Sequence, residues 1–199
     1  MTSPTRRNFL QATSTAAASL SLASYVHHAG AADAKKPLSV ALIGCGGRGS
    51  YLAGVFQSNP GVILSWVCDV DTGRLKRGQK LAREKVKTSD DIRKVLADDK
   101  LDAVIVATPD HWHSPAAILA CEAGKHVYVE KPCSHNVREG RLLVEAARRN
   151  KRVVQHGTQV RSTTMMIDAV KLLRDGIIGD VKVCKAWNIQ RLSLIHISE

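Results

Sequence analysis

VIVATPDHWHSPAAILACEAGKHVYVEKP, residues 104–132, is the stretch whose reading decides the fold. Val104 to Ala107 is an apolar run of strand length that breaks at Thr108-Pro109. A helix is expected from Ser114 to Ala123, with Pro115 in its first turn, where a missing N–H costs little, and Gly124 as its stop. A second apolar strand, His126 to Val129, ends in Glu130-Lys131-Pro132. Strand, helix, strand with no alternation of polar residues is the signature of a parallel sheet buried on both faces. The polar clusters TPDHWH and EKP both stand at carboxyl ends of strands, where open α/β sheets place ligands.

The same alternation runs outward in both directions. Upstream, Leu38 to Ile43, Val62 to Val67 and Val86 to Thr88 read as strands, Asp102 to Ala107 as the fourth, and Gly47 to Ser58 and Thr72 to Glu84 as helices. Ser89-Asp90-Asp91 offers an N-cap for a helix through Leu96. Downstream, Asn136 to Arg149 is an amphipathic helix, Val153 to His156 a sixth strand and Met165 to Asp175 a further helix closed by Gly176. Val181 to Ile189 alternates and reads as a strand opening a second sheet, whose unpaired edge would be a hazard.

Gly44-Cys45-Gly46-Gly47-Arg48-Gly49 gives G-x-G-x-x-G between the first strand and the first helix, the order that a dinucleotide loop requires. The first glycine makes the tight turn, the second lets the backbone approach a pyrophosphate, and the third lets the helix pack on the strand. The helix N-terminus then offers free N–H groups and a positive dipole end to the phosphates. Asp69, twenty residues after Gly49, can accept hydrogen bonds from ribose hydroxyls, which favours NAD; Arg74 leaves NADP open.

The combination of GCGGRG, ATPDHWH and EKP resembles the Gfo/Idh/MocA family of nicotinamide-dependent oxidoreductases, over roughly Leu38 to Arg191. The resemblance implies an α/β fold, a Rossmann-type doubly wound parallel sheet over residues 35–157, followed over 158–191 by the start of a second, α+β substrate domain. It implies that Thr108, Pro109, Asp110 and His113 line the nicotinamide ribose, with Asp110 standing where many relatives have Asn. Trp112 is expected to pack rather than stack, and His111 to be structural. Glu130 joins the cofactor contacts, and Lys131 is expected beside the nicotinamide and the reacting carbon. An ammonium there can steady a developing alkoxide or take part in proton transfer; the alternative is a surface lysine paired with Glu130. His156 and Arg161, around Gln155-His156-Gly157-Thr158-Gln159, are expected to face substrate. The implied activity is hydride transfer between NAD(P) and a sugar, sugar derivative or cyclitol. An NAD-dependent glycosidase using transient oxidation is a variant, and a non-catalytic dinucleotide-binding module the third reading. Relatives complete their catalytic group with an Asp and a His in the second domain, which have no counterpart here, and form homo-oligomers through the open face of the second sheet.

The chain has 199 residues and a formal net charge of +11. Its basic residues lie on helix faces without interleaved aromatics, so a solvated surface is expected and not a nucleic-acid partner. Residues 1–34 read as a twin-arginine (Tat) export signal: Arg6-Arg7, a weakly apolar run from Ala12 to Val26 too short and polar for a stable membrane span, and cleavage after Ala34 or Ala31. The alternative is a plain tail. Periplasmic delivery by the Tat machinery suits a protein folded around a cofactor. Five cysteines, odd in number and widely spaced, suggest neither a disulfide framework nor a metal site. Leu192 to Glu199, LSLIHISE, resembles codon for codon the translation of a transposase-type sequencing-library adapter. The expectation is that the natural sequence runs on beyond Arg191 and that these residues carry no function.

Overall fold

A computed structural model describes residues 36–186. The expected export signal and the adapter-like terminus lie outside those residues. The described chain divides into two compact units, the first running to Gly157 and the second beginning at Thr158.

The first unit is a six-stranded parallel sheet: β1 (Leu38–Ile43), β2 (Val62–Cys68), β3 (Lys87–Ser89), β4 (Ala103–Val106), β5 (His126–Glu130) and β6 (Val154–Gly157), in spatial order β3-β2-β1-β4-β5-β6. This is the doubly wound order, with its switch point between β1 and β4. Helices α1 (Gly47–Gln57), α2 (Thr72–Leu81), α3 (Ile92–Leu96), α4 (His113–Glu122) and α5 (Val137–Arg149) connect the strands. Because side chains alternate along a strand, each strand feeds two cores. Ala41, Ile43, Val104, Val106, Val127 and Val129 pack under α3, α4 and α5; Val40, Leu42, Leu64, Val67 and Ile105 pack under α1 and α2. The continuous apolar runs of the sequence are thus burial on both faces.

Several expected boundaries shift, each for a local reason. Helix α2 stops at Leu81 rather than Glu84 because the buried Gln57 side chain donates to Leu81 O (3.1 Å) and accepts from Arg83 N (3.2 Å), diverting the backbone into an extended conformation at Ala82. Strand β3 slips by one residue, since Val86 is taken into the core beneath α1 and α2. Strand β5 runs on through Glu130, which pairs with Gly157. The expected strand at Val181 to Ile189 is not present over residues 181–186: a strand needs a ladder partner, and none lies beside it among the described residues.

The second unit, taken by itself, is a 3-10 turn at Gln159–Ser162 followed by helix α6 (Thr164–Arg174), which ends at Gly176 in the left-handed conformation (φ 82°). No helix of the described residues is long and apolar enough to cross a membrane. Cys45, Cys68 and Cys121 are free and buried. Burial is the main cause that pushes the Cys45 thiol up to about 12 and the Cys68 thiol up to about 11, so both stay protonated and act as small hydrophobes.

Asp98, after α3, ties the β2–β3 edge together. Its Oδ2 accepts from Lys87 Nζ and Trp66 Nε1, both at 2.8 Å, and its Oδ1 from Lys100 N at 2.9 Å. The Lys87 hydrogen bond first, and those from Trp66 and Lys100 after it, hold this carboxyl well below the usual range. A lowered folded-state pKa adds stability that is complete above the unfolded value of about 3.9 and fades as pH falls below it. Asp98→Asn should therefore cost about 1 kcal/mol at pH 7, a modest figure because Lys87 is largely exposed. The difference from wild type should begin to narrow below about pH 4 and be smaller at pH 3 than at pH 7. Urea midpoints at both pH values check this; a gap that widens in acid would contradict it.

Candidate functional site

Strand registers bring three loops to one edge. Ile43 pairs with Cys68 on one side and Val106 on the other, so Gly44, Asp69 and Ala107 leave the sheet side by side. Gly44 turns with φ 91°, and a Cβ there would lie 2.5 Å from Ala107 O. A Cβ on Gly49 would overlap Gly44 O, whereas the Cβ positions of Gly46 and Gly47 meet no atom within 4 Å. Helix α1 starts at Gly47 with no side-chain cap, leaving backbone N–H groups open to the cleft beside it.

That cleft has a volume of about 1110 Å³. It is lined by Gly44, Gly46, Gly47, Arg48, Asp69, Thr108 and Pro109 from the expected set. Asp69 Oδ2 accepts from Cys45 N at 2.7 Å and Oδ1 from Asp71 N at 2.9 Å, so the carboxylate is fixed with further acceptor capacity on each oxygen. Arg74 also lines the cleft. The sequence reading missed Arg77, one turn after Arg74 on α2, and Ile92, Arg93 and Lys94, which share the cleft because β3 runs parallel to β2 and sets Ser89 beside Cys68. Asp90-Asp91 directly after a strand was the available signal.

The TPDHWH loop divides its residues. The Thr108 hydroxyl oxygen is buried without a hydrogen-bond partner at the cleft wall. Asp110 opens a 3-10 turn, is exposed, and its carboxylate accepts no hydrogen bond among the described residues. His111 and Trp112 line the cleft, and Trp112 is 49% exposed, which corrects the expectation that it packs. His113 departs from expectation in the other direction. It is 1% exposed, with Nδ1 2.6 Å from Pro132 O and Nε2 2.8 Å from Thr108 O. Its ring is consumed by backbone carbonyls and does not line the cleft.

Glu130 is likewise buried, at 3% exposure, rather than facing a ligand. Its Oε1 accepts from Arg48 Nε (2.8 Å) and Nη2 (2.7 Å), with the Tyr128 hydroxyl at 3.4 Å, while Oε2 accepts from Lys131 N at 3.2 Å. Burial first, and the Glu130 charge second, push the Tyr128 hydroxyl up. The alternative of a Lys131–Glu130 ion pair is not what forms: Glu130 takes Arg48, and Lys131 stands exposed, with a cis bond to Pro132. Lys131 does not line the cleft. His156 is part-buried in β6 with Nε2 lacking a hydrogen-bond partner. Arg161 belongs to the second unit, where it borders a hollow with Met166, Ile167 and Val170.

These residues fit a dinucleotide. The Gly46–Gly47 face is open, the α1 N–H groups are free, Asp69 is fixed for hydroxyl groups, and Thr108, with its buried hydroxyl unpartnered, lines the same space.

Comparison with known proteins agrees. The family model described as "Oxidoreductase family, NAD-binding Rossmann fold" (GFO_IDH_MocA) matches residues 38–158. A "Glycosyl hydrolase family 109 protein" of Saccharopolyspora erythraea is 33% identical over 160 residues, covering 75% of this chain and 34% of its own length. The crystal structure of GenD2 from gentamicin A biosynthesis, in complex with NAD, is 34% identical with a TM-score of 0.65, over 70% of this chain and 40% of that one. The WlbA dehydrogenase from Chromobacterium violaceum, solved with NADH and UDP-GlcNAcA, is 26% identical with a TM-score of 0.66, over 71% and 41%. The chain spans less than half the length of each of these relatives.

Proposed function

The chain belongs to the Gfo/Idh/MocA oxidoreductase family, whose model matches it over residues 38–158, and from that premise we propose that it is the NAD-binding part of an enzyme oxidising or reducing a hydroxyl-bearing carbon of a sugar or sugar derivative. The observation that carries the reading is the cleft at the switch point, where the open glycine face, Asp69 and Thr108 meet.

The residues divide the work. The Gly46–Gly47 backbone and the start of α1 hold the diphosphate, and Asp69 accepts from the adenosine ribose. Arg74, Arg77, Arg93 and Lys94 lend the cleft positive charge. Thr108 and Pro109 orient the far half. A bound nicotinamide supplies the hydride acceptor or donor. In the oxidising direction the Lys131 amine would accept the substrate hydroxyl's proton as the hydride leaves the carbon, and in the reducing direction the ammonium would return that proton to the developing alkoxide. A glycosidase using the same hydride step transiently is the second reading, favoured by the family 109 relative. Net NADH accumulates in a dehydrogenase and not in that glycosidase.

Gly47→Glu is the sharp test. The new side chain enters open space at a helix N-terminus, where a carboxylate favours the dipole. The melting temperature should hold or rise slightly. A charge placed where a diphosphate must sit should weaken NADH by at least about 30-fold, roughly 2 kcal/mol. NADH fluorescence titration reads it. A wild-type chain without saturable binding, or a variant that binds as wild type does, would reject the reading.

A further inference from the structure

Beyond Glu130 the chain leaves the sheet, and its next carbonyls find no backbone donor among the described residues. Two consecutive buried side chains at the start of α4 meet them instead. The His113 ring sets Nδ1 2.6 Å from Pro132 O and Nε2 2.8 Å from Thr108 O, a neutral imidazole having one N–H to donate to either of the two, and the Ser114 hydroxyl, on a fully buried residue, donates to Cys133 O at 2.8 Å. We propose that His113 and Ser114 are positioning residues that clamp the Lys131-Pro132-Cys133 segment to the Thr108 loop and so set where the Lys131 ammonium stands.

The argument rests on what flanks Lys131. On its amino side Glu130 is anchored by Arg48, and on its carboxyl side Pro132 and Cys133 are anchored by α4. Lys131 itself is exposed and makes no ion pair among the described residues. An exposed, unpaired side chain is thus carried on a backbone anchored at both sides, so the origin from which the ammonium reaches is set by those anchors. The same imidazole also contacts the carbonyl of Thr108, so the loop and the lysine segment pack against one ring.

The proposal rests on the dinucleotide reading of the cleft, and its test separates the two. In the full chain, wild type, His113→Leu, His113→Gln and Ser114→Ala are compared for affinity toward NADH and toward ADP-ribose, and for amide hydrogen exchange across residues 130–135. ADP-ribose lacks the nicotinamide and reports the glycine loop and Asp69. His113→Leu should leave ADP-ribose within about twofold, weaken NADH about tenfold, and speed exchange at Cys133 and Ser134. His113→Gln, whose amide can still donate to one of the carbonyls, should recover part of both effects. Equal weakening of both ligands would reduce His113 to a general structural role and overturn the proposal, as would unchanged exchange. If the wild type binds neither ligand, the cleft reading fails, and the exchange comparison still decides the clamp because it needs no ligand. Should His113→Leu fail to fold, Ser114→Ala removes one hydrogen bond and almost no volume and carries the same comparison.

Discussion

A Gly49→Ala chain is expected to melt about 5–10 °C below wild type and to lose saturable NADH binding. The added methyl group would overlap Gly44 O, with Ala107 Cβ at 3.4 Å on its other side. Neither neighbour can give way. Gly44 is itself wedged, because its φ of 91° turns it against Ala107 O. Ala107 is held in place by the hydrogen bond from its N–H to Ile43 O at 2.8 Å. Forcing extra volume onto backbone costs about 1–3 kcal/mol, and for a domain of this size each kcal/mol lowers the melting temperature by roughly 2–4 °C. The helix must slide off the strand to relieve the overlap, which moves the phosphate-facing N–H groups. Melting followed by circular dichroism, with and without NADH, reads both effects. A variant within a degree or two of wild type would show that the loop is softer than its contacts imply. The contrast with Gly47→Glu, which should keep the fold and lose the ligand, separates the glycine that lets the helix pack from the glycine that leaves room for phosphate.

Arg48→Ala should cost about 2–3 kcal/mol. It strands the Glu130 carboxylate, whose side chain is 4% exposed, with one backbone N–H at 3.2 Å and a hydroxyl at 3.4 Å. Breaking a buried ion pair from one side costs about 3–5 kcal/mol. The figure is lowered here because the Arg48 side chain is 36% exposed, and water can follow into its place. Glu130→Gln in the same chain removes the stranded charge and should restore about half of the loss. Urea unfolding of the two single variants and the double variant closes the cycle. Additive losses would mean that the pair contributes nothing beyond its separate residues. NADH affinity should fall further in Arg48→Ala than in Glu130→Gln, since Arg48 also lines the cleft.

The clearest gap between sequence and structure lies in these partners. Arg48 and Glu130 both stood out in the sequence as ligand contacts. They are 82 residues apart, and only the pairing of β1 with β4 and β4 with β5 brings the glycine loop against the end of β5. His113 stood out as a cofactor residue and is a buried clamp on a carbonyl 19 residues away. Arg93 and Lys94 were marked locally only by the Asp90-Asp91 pair after a strand, and they reach the cleft through the short β2–β3 ladder.

What the sequence determined by itself was the local order. Continuous apolar runs demanded strands buried on both faces, the intervening segments demanded helices, and Gly44 to Gly49 stood where only a tight strand-to-helix turn fits. Those demands are set within a few residues, by backbone sterics and side-chain period, and each survives in the folded chain. What only the tertiary structure decided was the duty of each polar residue in the motifs. Thr108 and Trp112 remain at the cleft, while His113 and Glu130, drawn from the same two motifs, turn inward. The reason is that a polar side chain at a strand end is claimed by whichever unpaired backbone or charged group the neighbouring strand presents. That neighbour is chosen by strand order and register across the sheet, which no short window of sequence contains.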